Sequence, residues 1–233
     1  MKIFVLGPAG CGKSSFVKAF SEYLRGMSED VKCINLDPAT DPVFTAERDV
    51  RSFVKTEEIM KKHNLGINGA LLRSMDEALG YVRNLRSSGE YVLYDTPGQM
   101  EIFIYSSSGR KIIEKLSDKT TAGLFLMDSS LVTDAESFLS AIMQNVIVSL
   151  RLSIPTATVL TKNDIVDVDI DKMLRGISNK SSVLAELLEK TSYFVEYTSL
   201  TQRVVKISSL SKTGFDDVYS LVNELFCSCG DLS

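Results

Sequence analysis

The stretch "KIFVLGPAGCGKSS" (2–15) decides the fold. Its opening, "KIFVLG" (2–7), is almost continuously apolar, as a strand covered on both faces requires. The part that follows, "GPAGCGKS" (7–14), fits G-x-x-x-x-G-K-[ST], and helical spacing begins at its end. Strand, glycine-rich loop and helix in that order make a cradle for phosphate. Gly7, Gly10 and Gly12 let the backbone wrap closely, and successive N–H groups from Cys11 to Ser15 join the helix N-terminus in offering positive charge. Lys13 adds a full charge at the β- and γ-phosphates, and the Ser14 hydroxyl is a predicted Mg²⁺ ligand. The Cys11 thiol reads as filler.

Outward from this loop, short apolar runs recur between longer helical patterns. "VKCINLD" (31–37), "YVLYD" (91–95), "AGLFLMD" (122–128), "TATVLT" (156–161) and "RVVKIS" (203–208) read as further strands. Helices are expected over 14–25, 70–87, 102–117, 133–152, 180–192 and 214–226. In the second, Leu71, Leu72, Met75, Ala78, Leu79, Val82 and Leu85 share one face. This alternation predicts an α/β protein, three layers around a mostly parallel central sheet, in one domain over 1–233. Two charged stretches exceed what a crossover needs and are expected to be helical inserts, at about 41–69 and about 165–200.

The bulk properties agree with one globular unit: 233 residues, 44% apolar, 24% charged. A net charge of −4 lacks the broad basic footprint of a nucleic-acid binder, so direct nucleic-acid binding is not expected. The cysteines at 11, 33, 227 and 229 form neither a disulfide framework nor a zinc spacing, which suits a reducing, cytoplasmic setting. No membrane span or signal peptide is expected, since the N-terminal apolar run is brief and "FLSAIMQNVIVSLRL" (138–152) is interrupted by polar residues.

Polar residues that close the apolar strands are the candidate chemistry. "DTPGQME" (95–101) puts Asp95 at a strand end, where it can hold Mg²⁺, and places the Gly98 N–H for a γ-phosphate. Gln99 has the donors and acceptor to orient an attacking water. In "NLDPATD" (35–41), Asp37 either orients water or contributes to the Mg²⁺ shell, with a helix or turn cap as the alternative. "TVLTKND" (158–164) ends a strand with Thr161, Lys162 and Asp164. A carboxylate there accepts from guanine N1–H and N2–H₂, whereas adenine presents an acceptor at N1. The Lys162 stem can pack over the base. This Thr-Lys-x-Asp form resembles that of signal-recognition-particle GTPases. "KISSLSKTG" (206–214) resembles the Ser-Ala-Lys loop of GTPases, with Ser208 and Ser209 at the base edge.

Together these stretches make the chain resemble the GPN-loop GTPases, P-loop NTPases set apart by a Gly-Pro-Asn motif. Here "LGINGA" (65–70) stands between the Asp37 and Asp95 stretches, with Ile67 in place of proline. The resemblance implies an archaeal-type homodimer in which Asn68 of one subunit acts near the nucleophilic water at the other's γ-phosphate. It implies Mg²⁺-dependent hydrolysis of GTP to GDP, with Asp37, Asn68 and Gln99 catalytic. It also implies, by analogy, a part in assembling RNA polymerase or another protein complex. Two rival readings are a nucleotide-gated scaffold with incidental turnover and a P-loop ATPase or small-molecule kinase.

Overall fold

The computed structural model of the chain describes residues 1–177 and 204–230. Among these, seven strands form one parallel sheet: β1 (Lys2–Leu6), β2 (Val31–Asn35), β3 (Arg48–Asp49), β4 (Tyr91–Asp95), β5 (Thr121–Asp128), β6 (Thr156–Thr161) and β7 (Val205–Lys206), in the spatial order β3-β2-β4-β1-β5-β6-β7. Every described pairing is parallel. The nearly continuous apolar runs have a direct cause. Phe4 and Leu6 face one core layer and Ile3 and Val5 the other, and Leu124 and Phe125 divide in the same way.

One layer is built by α1 (Lys13–Gly26) and the C-terminal helix; the other by the helices that follow β3, β4 and β5. Those helices are α2 (Thr56–His63), α3 (Ile67–Ala78), α4 (Met100–Tyr105), α5 (Ser107–Leu116) and α6 (Ala135–Leu152). After β6 come α7 (Ile170–Ile177) and, past β7, α8 (Phe215–Gly230). Asp134 and Ser137 begin α6 with a reciprocal capping box. Among the described residues, no helix is long and apolar enough to cross a membrane.

Several expectations shift in detail. β3 was not anticipated, because two charged residues carry no apolar run; it lies within the 41–69 stretch and pairs with β2. The helix expected over 70–87 starts three residues earlier, at Ile67, and tightens to 3₁₀ over Leu79–Leu85, so Ile67, Asn68 and Gly69 are its first turn and not a loop. The helix expected over 102–117 is two helices. Ser106 takes an extended backbone, and its hydroxyl caps α5 by accepting from Gly109 N. The helix expected over 180–192 lies outside the described residues, as does most of the 165–200 stretch.

Candidate functional site

Every candidate residue except Asn68 belongs to a segment that leaves, or closely follows, the carboxyl end of a strand, where a parallel sheet presents its ligand crevice. The loop after β1 is shaped by backbone that only glycine tolerates. Gly7 has φ +143, and a Cβ there would sit 2.3 Å from Leu126 O. Gly10 and Gly12 are also at positive φ, and Gly12 opens α1. Lys13 is buried and folds back over the loop, donating to Gly7 O at 2.8 Å and Pro8 O at 3.1 Å. Its ammonium is bonded to carbonyls and makes no direct ion pair among the described residues, and an anion in the loop would supply one. The Cys11 thiol is buried, and burial holds its pKa above the ordinary range, in keeping with a packing role. Ser15 is exposed beside it.

Ser14 Oγ donates to Asp95 Oδ2 at 2.6 Å, joining the start of α1 to the end of β4. Asp95 is buried, and its second oxygen, Oδ1, has no hydrogen-bond partner. Burial pushes its pKa up to about 6, against the pull of the Ser14 hydroxyl and Lys13; the nearby Asp37 carboxylate adds to the rise. A buried carboxylate with one orphaned oxygen beside a hydroxyl suits a hard divalent cation that takes its other ligands from phosphate and water. No cluster of three His, Cys, Asp or Glu able to hold a metal occurs among the described residues. The donor set thus fits Mg²⁺ shared with a nucleotide, not a metal caged by protein alone.

Asp37 closes the far side. Its Oδ1 accepts from Ala39 N at 2.8 Å and its Oδ2 from Gly98 N at 3.1 Å, so the amide expected at a γ-phosphate is here given to a carboxylate. The Thr96 hydroxyl donates to Val5 O and pins the turn to β1. Gln99 is half-buried at the start of α4, and its amide makes no hydrogen bond among the described residues.

At the other end of the crevice, Thr161 does not present its hydroxyl to a ligand. It donates to Cys11 O at 2.8 Å and lies 3.2 Å from Met127 O, tying β6 to the phosphate loop and to β5. Lys162, at φ +59, reaches Asp128 Oδ2 at 2.6 Å. Burial would raise the Asp128 pKa, but Lys162 and the Ser130 amide and hydroxyl outweigh it and hold the carboxyl below its ordinary range. Asp164 is exposed. Asn163 N donates to Ile207 O at 3.0 Å, which brings the 161–164 and 206–214 loops together. Ser208 is buried in a bridge to Thr213, leaving Ser209 half-exposed at the rim.

Asn68 is exposed on the first turn of α3, and its side chain makes no hydrogen bond among the described residues. Nothing inside the chain crowds the glycines at 66 and 69. Gly66 has φ −70, and a Cβ there would meet nothing within 4 Å; one at Gly69 would meet only Leu65, at 3.8 Å. The left-handed residue that ends α2 is Asn64.

Three contributors were not read from the sequence. Asn35 donates to Asp49 Oδ1 at 2.9 Å and accepts from Asp37 N at 3.0 Å, fixing the corner that carries Asp37. Arg51 donates to Pro38 O, Asp41 and Glu57. Asp41, the last residue of the 35–41 stretch, is thus an ion-pair partner of Arg51. Asp128 could have been found, since it ends an apolar run just as Asp95 does; Asn35 and Arg51 act through contacts that no spacing reveals.

A family described as "Conserved hypothetical ATP binding protein" matches residues 5–228. GPN-loop GTPase 1 of Dictyostelium discoideum is 28% identical over 239 residues, covering 95% of this chain and 60% of that protein. A GPN-loop GTPase of Pyrococcus abyssi is 28% identical over 252 residues, covering 100% of both. A crystal structure of a GTPase in apo form from Pyrococcus abyssi has a TM-score of 0.82 to this chain at 27% identity, covering 98% of each.

Proposed function

This chain belongs to the GPN-loop GTPase family, and from that premise we propose that it binds GTP with Mg²⁺ and hydrolyses it as a cytoplasmic homodimer. The observation that carries the reading is the convergence of Lys13, the Ser14–Asp95 pair and the Asp37–Gly98 contact at the mouth of one loop. Ser14 and Asp95 would hold Mg²⁺, with Asp37 beyond them. When bound, the ion neutralises charge developing on the phosphate oxygens.

Hydrolysis here is in-line attack of water. Lys13 and the loop amides stabilise the departing charge, and Gly98 N–H turns from Asp37 to the γ-phosphate. That exchange frees Asp37 Oδ2 to accept from the attacking water, with the unengaged Gln99 amide as a second positioning group. Asn68 of the second subunit supplies a further amide. Two features support its acting outside its own chain: its side chain is exposed without a partner, and nothing within this subunit crowds Gly66 or Gly69, which leaves room for a second chain to come close. The half-exposed Ile67 and Leu72 on the same helix give a second subunit an apolar surface to meet. A role in assembling a larger complex, such as RNA polymerase, rests on family analogy alone.

For the base, Asp164 accepts from guanine N1–H and N2–H₂, Lys162 lies alongside, and the rim at Ser209 offers an amide to O6. Titration with GTP and ATP tests this. GTP is expected to bind at least ~100-fold more tightly than ATP, and Asp164→Ala to remove that preference while leaving ATP affinity unchanged. Equal affinity in the native protein overturns the guanine assignment.

A further inference from the structure

We propose that Thr56 and Ser74 are positioning residues whose buried hydroxyl pair couples the Asp37 corner of a subunit's own phosphate site to the α3 turn that carries Asn68. The inference rests on the function proposed above for Asn68.

A continuous set of bonds joins the two places. Gly98 N donates to Asp37 Oδ2 at 3.1 Å. The next residue, Pro38, offers its carbonyl to two donors at 3.0 Å: Arg51 Nη1, and the backbone N of Thr56, the first residue of α2. The Thr56 and Ser74 hydroxyls lie 3.1 Å apart, and Ser74 Oγ donates to Ala70 O at 2.7 Å. Ser74 has one proton and spends it on Ala70, so Thr56 must be the donor between the two hydroxyls. Ala70 N in turn donates to Gly66 O at 2.9 Å, closing the turn that presents Asn68.

Thr56 is 1% exposed and Ser74 0%, so water cannot stand in for either partner. Arg51 stiffens the first link: its side chain is 11% exposed, and Asp41 and Glu57 hold it against Pro38. The Asp37–Gly98 contact must break when Gly98 N–H turns to a γ-phosphate. A shift of the 37–38 corner is then carried through α2 to α3. In a dimer this makes the presentation of Asn68 depend on the nucleotide in its own subunit, so that each site reports its state to the other.

Single-turnover hydrolysis and GTP affinity of variants test this. Thr56→Val keeps the volume and the backbone bond to Pro38 but cannot donate to Ser74; Thr56→Ser keeps the donor. Thr56→Val is expected to lower the hydrolysis rate about 10-fold with GTP affinity within about twofold of native, and Thr56→Ser to restore it. In the Asn68→Ala background, Thr56→Val is expected to cost nothing more, because the relay acts through Asn68. Ser74→Ala serves as the second variant, should Thr56→Val fold poorly, with the same expectation. Native rate in Thr56→Val, or losses that multiply in the double variant, overturn the relay. Native rate in Asn68→Ala alone overturns instead the role given to Asn68.

Discussion

Asp95 is the residue whose chemistry is most exposed to test. Its carboxyl has a pKa near 6 in the fold against 3.8 for a free aspartate. Between those values the folded chain holds a proton that the unfolded chain has released, so stability falls as pH rises through the window. Above pH 6 the full cost is present, on the order of 2–3 kcal/mol. Asp95→Asn is therefore expected to raise the melting temperature of the nucleotide-free protein at pH 8 and to change it little at pH 4. It should also abolish Mg²⁺-supported GTP turnover. Equal melting-temperature changes at the two pH values would contradict a carboxylate whose burial outweighs its partners. The fold tolerates this cost at the place where a cation would repay it, as functional sites commonly do. Asp95, like Lys13 and Ser14, was legible in the sequence, because each stands at a fixed distance from an apolar strand. Thr161 was legible only as a position. Its hydroxyl turned out to hold the Cys11 carbonyl, a contact across 150 residues that the local pattern does not contain.

Among the elements, α3 departs most from its sequence pattern. Gly66, Ile67, Asn68 and Gly69 read as a turn because glycine and asparagine commonly punctuate helices, yet α3 runs through Ile67 onward and Asn64 provides the left-handed stop to α2. Ile67 is thus the first helical residue, a position that favours proline because its N–H needs no intrahelical acceptor. Gly66, at φ −70 and ψ 166, already has the extended backbone that a following proline demands. Ile67→Pro is expected to stabilise the protein by about 0.4–1 kcal/mol in chemical denaturation without loss of turnover. Destabilisation would show that the Ile67 side chain or N–H serves a contact of its own. Gly69→Ala makes the complementary test. It should stabilise the isolated helix by roughly 0.5–1 kcal/mol, since its Cβ meets only Leu65, and yet slow hydrolysis if a second subunit approaches there. Unchanged hydrolysis would remove the case for close approach. The division of 100–116 into α4 and α5 falls where Ser106, Ser107, Ser108 and Gly109 interrupt the apolar spacing, a local break that a single helix over 102–117 passes over.

For the whole molecule, the parallel sheet was readable because strands buried on both faces leave short runs rich in apolar and β-branched residues, several of them nearly continuous, and six of the seven strands lie in such runs. The order β3-β2-β4-β1-β5-β6-β7 follows from pairing contacts that a linear pattern does not record. Its consequence is functional. β1 lies between β4 and β5, so the phosphate loop has Asp95 on one side and Asp128 on the other. On the function proposed above, a complete site is built from two subunits. Mixing two inactive variants tests it most directly. Lys13→Ala disables a subunit's own phosphate loop but leaves its Asn68; Asn68→Ala leaves the loop and loses the donor. If Asn68 acts in trans, exchanging subunits between the two makes mixed dimers with one complete site each, and GTP hydrolysis should recover to about a quarter of native on random assortment. If Asn68 acts within its own chain, every site in the mixture lacks one component, and activity that stays at the level of the separate variants would contradict the account.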